Sequence, residues 1–179
     1  MTTFLELCKT RQSCRSYNGQ PVEREKLERC LEAARLAPSA CNSQPWSFVV
    51  VNSPELLPQV ANCARSFNNI NGFVEKAGAV ILILEEHAKL MPGLAKLIDS
   101  QYFAKADIGG ATLAICLEAA EQGLGTCIIG MYDRPELCKL LNLPANTTIA
   151  GYIVVGYPAA DDKIRDKQRK PLADMVRFA

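Results

Sequence analysis

Three stretches of this chain carry the side chains that an anionic, planar ligand needs. The first is Arg11-Gln12-Ser13-Cys14-Arg15, with two guanidinium groups and a hydroxyl in five residues at the expected end of a helix. Guanidinium forks pair well with phosphate oxygens and stay charged at any relevant pH. The second runs from Ala37 through Pro38, Ser39, Ala40, Cys41, Asn42, Ser43, Gln44 and Pro45 to Trp46. Its uncharged polar side chains and exposed backbone suit the edge of a heterocycle. The third is Lys167, Arg169 and Lys170 ahead of Pro171-Leu172. Taken singly, each has a plain reading as a solvated basic turn, a polar turn or a solvated charged face. Taken together, they suit a phosphate-bearing planar cofactor.

Other chemistries lack their residues. Gly123-Leu124-Gly125 follows a helix and has no third glycine at the required spacing, so it is not a dinucleotide fingerprint. There is no P-loop, no G-x-S-x-G and no H-E-x-x-H, and the single histidine, His87, beside Glu85 and Glu86, reads as exposed. The eight cysteines, at 8, 14, 30, 41, 63, 116, 127 and 138, contain no C-x-x-C pair, and no metal site is expected. They read as free thiols in a chain without a leader, with Cys30 and Cys116 packing on helical stripes and Cys41 set apart in the second cluster. Lys plus Arg (20) nearly balance Asp plus Glu (19), which leaves no long-range field for nucleic acid or an anionic membrane. The longest apolar run, Ala77 to Leu84, falls far short of the roughly 20 residues that span a bilayer. A cytoplasmic location is expected.

The elements that must hold these clusters are legible from periodicity. With 179 residues, 49% of them hydrophobic and 22% charged, the chain has enough apolar surface for a core. Thr3 and Glu6 have capping-box spacing ahead of a helix to about Lys9. Leu27, Cys30, Leu31 and Ala34 recur at helical spacing through Leu36, and Ser47 to Asn52 is β-prone. Ser53-Pro54 predicts a helix over Glu55 to Arg65. Ala79 to Leu84 predicts a central strand covered on both faces, and Phe103 to Gln122 a long helix buried all round. Thr126 to Ile129 reads as a strand, Asp133 as the cap of a helix over Pro135 to Leu141, and Thr148 to Val155 as a strong strand. Met91 to Ser100 is ambiguous. This order predicts an α+β fold, with helices packed on a mixed central β-sheet.

In order, the clusters resemble the nitroreductase family. Arg11 to Arg15 followed by Tyr17 resembles its opening R-x-S-x-R-x-[FY]. Ala37-Pro38-Ser39, Asn42, Gln44-Pro45-Trp46 and Phe48 resemble its A-P-S-x-x-N-x-Q-P-W-x-F segment, a highly specific match. Asp107-Ile108-Gly109, Ala119-Ala120 and Gly123 to Gly130 are similar to its long helix and the strand after it. Val155-Gly156-Tyr157-Pro158 and Arg169-Lys170-Pro171-Leu172 match its ending. The resemblance covers nearly the whole chain, read as one domain over 1–179.

The resemblance implies a nitroreductase-like homodimer of domain-swapped type, with FMN at the subunit interface. Arg11, Lys167 and Arg169 then hold the phosphate, and Ser13 and Arg15, with Gln12 beside them, contact the ribityl chain and the pyrimidine side of the ring. Pro38, Ser39, Ala40 and Asn42 come from the partner chain. Asn69, or Asn68, matches a flavin-contacting asparagine, and Ile129 and Gly130 direct a backbone N–H toward flavin N5. NADH or NADPH gives hydride and a nitroaromatic, quinone or related small acceptor takes it in a ping-pong shuttle, so no catalytic acid or base is expected. Ala40 and Cys41 stand where many members have hydroxyl residues, and the Gly72 to Phe103 segment, which lines the substrate channel in longer relatives, is short. Two other readings stay open. One is a variant that oxidises or dehalogenates a specific substrate without direct use of NAD(P)H; the other is a non-enzymatic FMN-binding sensor.

Overall fold

The computed structural model describes residues 3–65 and 69–179. The apolar run from residue 79 forms β2 (Ala79–Glu85), whose first six residues are all buried. It lies between β1 (Trp46–Val51) and β4 (Ile149–Gly156), and β3 (Gly125–Ile129) pairs with the far side of β4, giving the order β1-β2-β4-β3. All three pairings are antiparallel. The sheet expected to be mixed is therefore antiparallel in its four strands, and its parallel component is one isolated bridge from Ser13 to Thr126.

Alternation along the central strands splits the core in two, because successive side chains point to opposite faces. Val80, Leu82, Tyr152 and Val154 face α3 (Leu57–Cys63) and α6 (Arg134–Leu140), where Tyr152 Oη donates to Val60 O at 2.9 Å. Ile81, Ile83, Ile153 and Val155 face α2 (Arg24–Arg35) and α5 (Ala104–Glu121). The stripe read from spacing, Leu27, Cys30 and Ala34, is the face that α2 buries. The capping box also forms: Thr3 N–H donates to Glu6 at 2.7 Å and Glu6 N–H to Thr3 Oγ1 at 3.3 Å, opening α1 (Phe4–Thr10). Asp133 caps α6 through Glu136 N–H at 3.0 Å.

Two elements differ from expectation. The third helix starts later and ends earlier than Glu55 to Arg65, because Pro58 and not Pro54 occupies its first turn, where the missing N–H breaks no bond. Ser53 Oγ instead accepts from Leu56 N–H at 3.3 Å in the preceding turn. The long helix α5 is not buried all round: Ile108, Ala111, Ile115 and Cys116 are covered, but Leu113 is 51% exposed. Gly109 and Gly110 on the same helix have open space where a side chain would stand. The ambiguous stretch after Met91 contains the short helix α4 (Pro92–Ala95). Among the described residues, no helix is long and apolar enough to cross a membrane.

Candidate functional site

The first basic segment is laid against the sheet. α1 stops at Thr10, and Arg11 closes it by donating its N–H to Leu7 O at 2.9 Å. The chain then runs beside β3, where Cys14 N–H donates to Thr126 O at 2.8 Å. A Cβ on Gly125 would stand 2.6 Å from Cys14 Cβ, so only glycine allows this approach. Cys14 and Tyr17 are buried along this segment, whereas Arg15 faces solvent. Tyr17 Oη, bonded to Cys14 O at 3.2 Å and Val154 O at 3.4 Å, fixes the register. Burial pushes the Cys14 thiol up to about 12, so it is a packing group and not a nucleophile.

The tail returns across this segment. Ala159 N–H donates to Ser16 O at 3.0 Å, and Tyr17 and Pro158 form an antiparallel bridge. Lys167 and Arg169 thereby reach Arg11, Ser13 and Arg15 around a cleft of about 180 Å³. Two sequence-remote clusters thus become one site. Arg165 also borders it, although a charge run in sequence offered no sign that one member differed from the rest. The Lys167 ammonium is held below its usual value by partial burial and then by the guanidinium groups of Arg11, Arg169 and Arg165. Such a crowd of like charges is what a bound phosphate would relieve.

Arg11 also borders a neighbouring hollow of about 250 Å³. Its walls are Ile108, Gly109, Thr112 and Leu113 of α5 and Ile128 of β3. Cys127 and Ile129 are buried, whereas Ile128 is 52% exposed, an apolar side chain on the open face of the strand. Alternation along β3 was the signal for it, and the sequence reading singled out only Ile129 and Gly130. A cationic cleft beside an apolar wall matches a ligand with a phosphate at one end and a flat ring at the other.

The second cluster lies elsewhere in the chain. Pro38, Ser39, Ala40 and Asn42 border neither hollow. Ala40 N–H donates to Asp107 Oδ2 at 3.1 Å, tying the loop to the start of α5, and Ser39 Oγ accepts from Gln44 N–H at 2.9 Å. Cys41, Asn42 and Gln44 all take positive φ, at 54°, 51° and 48°, a conformation that side chains disfavour and that persists where the surroundings enforce it. Cys41 is exposed, as is His87. Asn69 is engaged away from both hollows: its Oδ1 accepts from Arg65 Nε at 2.9 Å. Asn68 lies outside the described residues. Among the described residues, no group of three or more His, Cys, Asp or Glu could hold a metal ion.

The family model for nitroreductases matches residues 8–157, which include the Arg11 segment, the 38–46 loop and all four strands. The chain belongs to the nitroreductase family. A relative from Archaeoglobus fulgidus, provisionally named NADH dehydrogenase/NAD(P)H nitroreductase, is 33% identical over 162 residues, covering 88% of this chain and 87% of its own. Iodotyrosine deiodinase from Nematostella vectensis is 25% identical over 97% of this chain and 74% of its own. The structure of an FMN-dependent nitroreductase from Clostridium difficile R20291 superposes with a TM-score of 0.75 at 26% identity, covering 98% of each chain. The family fold is thus an α+β one, in which α5 and β3 wall the apolar hollow beside the cationic cleft.

Proposed function

We propose that this nitroreductase-family chain, acting as one unit over 1–179, is an FMN-dependent oxidoreductase that uses NADH or NADPH to reduce nitroaromatics, quinones or related small acceptors. The observation that carries the reading is the convergence of Arg11, Arg15, Lys167 and Arg169 on one cleft beside the exposed Ile128. The FMN named for the C. difficile enzyme and the NAD(P)H named for the archaeal relative support it. When bound, FMN would supply the hydride-transfer chemistry between nucleotide and acceptor.

The chain's own residues bind and orient. Arg11, Lys167 and Arg169 hold the phosphate, and Ser13 and Arg15 meet the ribityl chain and the pyrimidine edge. Arg15, always charged, favours negative charge on that edge. The backbone at Ile129 and Gly130 would donate to the flavin ring, and Ile128 and the open side of α5 would keep water from it. Pro38, Ser39, Ala40 and Asn42, which border neither the cationic cleft nor the apolar hollow, act on the cofactor of a second copy, so the working form is a homodimer. The exposed Leu113, beside Gly109 and Gly110, offers the apolar contact that such an interface requires.

An anaerobic absorbance titration of the FMN-loaded protein with NADH and then NADPH, followed by a nitroaromatic or a quinone, tests the proposal. Bleaching of the oxidised band and its return with acceptor is the expected result. The deiodinase relatives favour a second reading, a dehalogenating variant that does not draw on NAD(P)H directly. FMN that binds but is not bleached by either nucleotide would move that reading ahead.

A further inference from the structure

The tail that carries Lys167 and Arg169 to the cleft also holds a carboxylate, Asp162, that stands outside the cleft lining and borders an adjoining hollow with Arg11 and Gln12. The Asp162 side chain is only 6% exposed, and a carboxylate so far out of water needs partners. Arg165 Nη1 donates to its Oδ1 at 2.9 Å, and Gln12 Nε2 lies 3.5 Å from its Oδ2. Arg165 Nη2 donates to Ser13 O at 2.6 Å, and its backbone N–H to Gln12 Oε1 at 3.0 Å. Gln12 Nε2 donates in turn to Lys163 O at 3.1 Å, and Ser16 Oγ to Asp161 at 3.1 Å. Apart from the Arg165–Asp162 pair, which lies within the tail, these bonds join the tail to residues 12–16. Two guanidinium nitrogens of Arg165 are therefore committed to protein acceptors. Among the described residues, Lys167 and Arg169 pair with no carboxylate.

We propose that Asp162 and Arg165 are positioning residues of the cofactor site: their ion pair, closed through Gln12 and Ser13, holds the tail where Lys167 and Arg169 meet Arg11 around one phosphate. The inference rests on the FMN reading above. It predicts an effect opposite to simple electrostatics. Removing a negative charge from beside a cationic cleft strengthens anion binding through the field alone, whereas releasing the tail weakens it.

The test measures the affinity of FMN, riboflavin and inorganic phosphate for the wild type, Asp162→Asn, Arg165→Gln and the double variant. Asp162→Asn and Arg165→Gln are each expected to weaken FMN by about tenfold or more, the scale of a charge-assisted hydrogen bond. Riboflavin, which lacks the phosphate, is expected to bind all four proteins alike. Because both residues serve one tie, the double variant is expected to be no worse than either single one. FMN bound as tightly or more tightly by Asp162→Asn overturns the proposal, and so does a parallel loss of FMN and riboflavin, which is the signature of general damage. Should Asp162→Asn fail to fold, Arg165→Gln at a half-exposed position decides alone. Wild-type protein that binds phosphate but not FMN defeats the flavin reading, while loss of that phosphate in Asp162→Asn upholds the clasp. Wild-type protein that binds neither defeats both.

Discussion

Arg11 borders both the cationic cleft and the apolar hollow, so one side chain joins the two halves of the proposed site. Replacing it with alanine is expected to cost about 1.5–3 kcal/mol of FMN affinity, the usual worth of a hydrogen bond to a charged group. Quenching of flavin fluorescence reads this directly, and unchanged affinity removes Arg11 from the phosphate site. The basic character of Arg11, Arg15, Lys167 and Arg169 was legible in the sequence, because guanidinium and ammonium groups declare their chemistry by type. The special place of Arg165 was not. Its difference from its neighbours lies in acceptors supplied by Ser13 and Asp162, and the Ser13 carbonyl is 152 residues away in the chain. Ile128 was passed over for another reason: an apolar residue in a strand is ordinarily core, and Ile128, paired with the buried Ile153, is exposed only because β3 is the edge of the sheet.

At the scale of elements, the seat of the site is the contact between the Arg11–Arg15 segment and β3, and Gly125 makes that contact possible. Gly125→Ala would place a methyl group against Cys14, and overpacking of this kind destabilises by about 1–3 kcal/mol. The expected signature is a lowered midpoint of urea unfolding together with loss of FMN, since the displaced segment carries Arg11 and Arg15. A variant with full FMN affinity would show that the two strands need not touch. Sequence predicted most elements because each carries a local signal: the 3.6-residue stripe of α2, the β-branched run of β2, the capping box of α1. It misplaced the start of α3, where Pro54 and Pro58 both fit a first helical turn and only packing chooses between them. The open side of α5 escaped notice because a helix that is apolar all round gives no hint of which side its own chain leaves bare.

At the scale of the whole molecule, thiols buried on both faces of the sheet set an alkaline limit. Burial raises Cys14 and Cys30 to about 12 and Cys63 to about 11, against 9.0 for an unburied thiol. The folded state therefore holds protons that the unfolded chain has lost above pH 9.0, and its stability falls as pH rises from there toward 12. Urea midpoints at about pH 8 and about pH 10.5 should show the decline, and Cys14→Ala should make it shallower. Association is tested at the same scale: Leu113→Glu is expected to convert a dimer to monomers in sedimentation and to release FMN, because Leu113 is 51% exposed on the open side of α5. The joining of residues 12–13 to residues 163–165 bears on how the protein comes into being. During synthesis the first half of the cleft leaves the ribosome on the order of ten seconds before the second. For that interval the nascent chain lacks half of the proposed phosphate site, however much FMN surrounds it. Cofactor capture at the proposed site thus waits for translation of the clasp, and a chain that stops before Arg165 is expected to stay colourless.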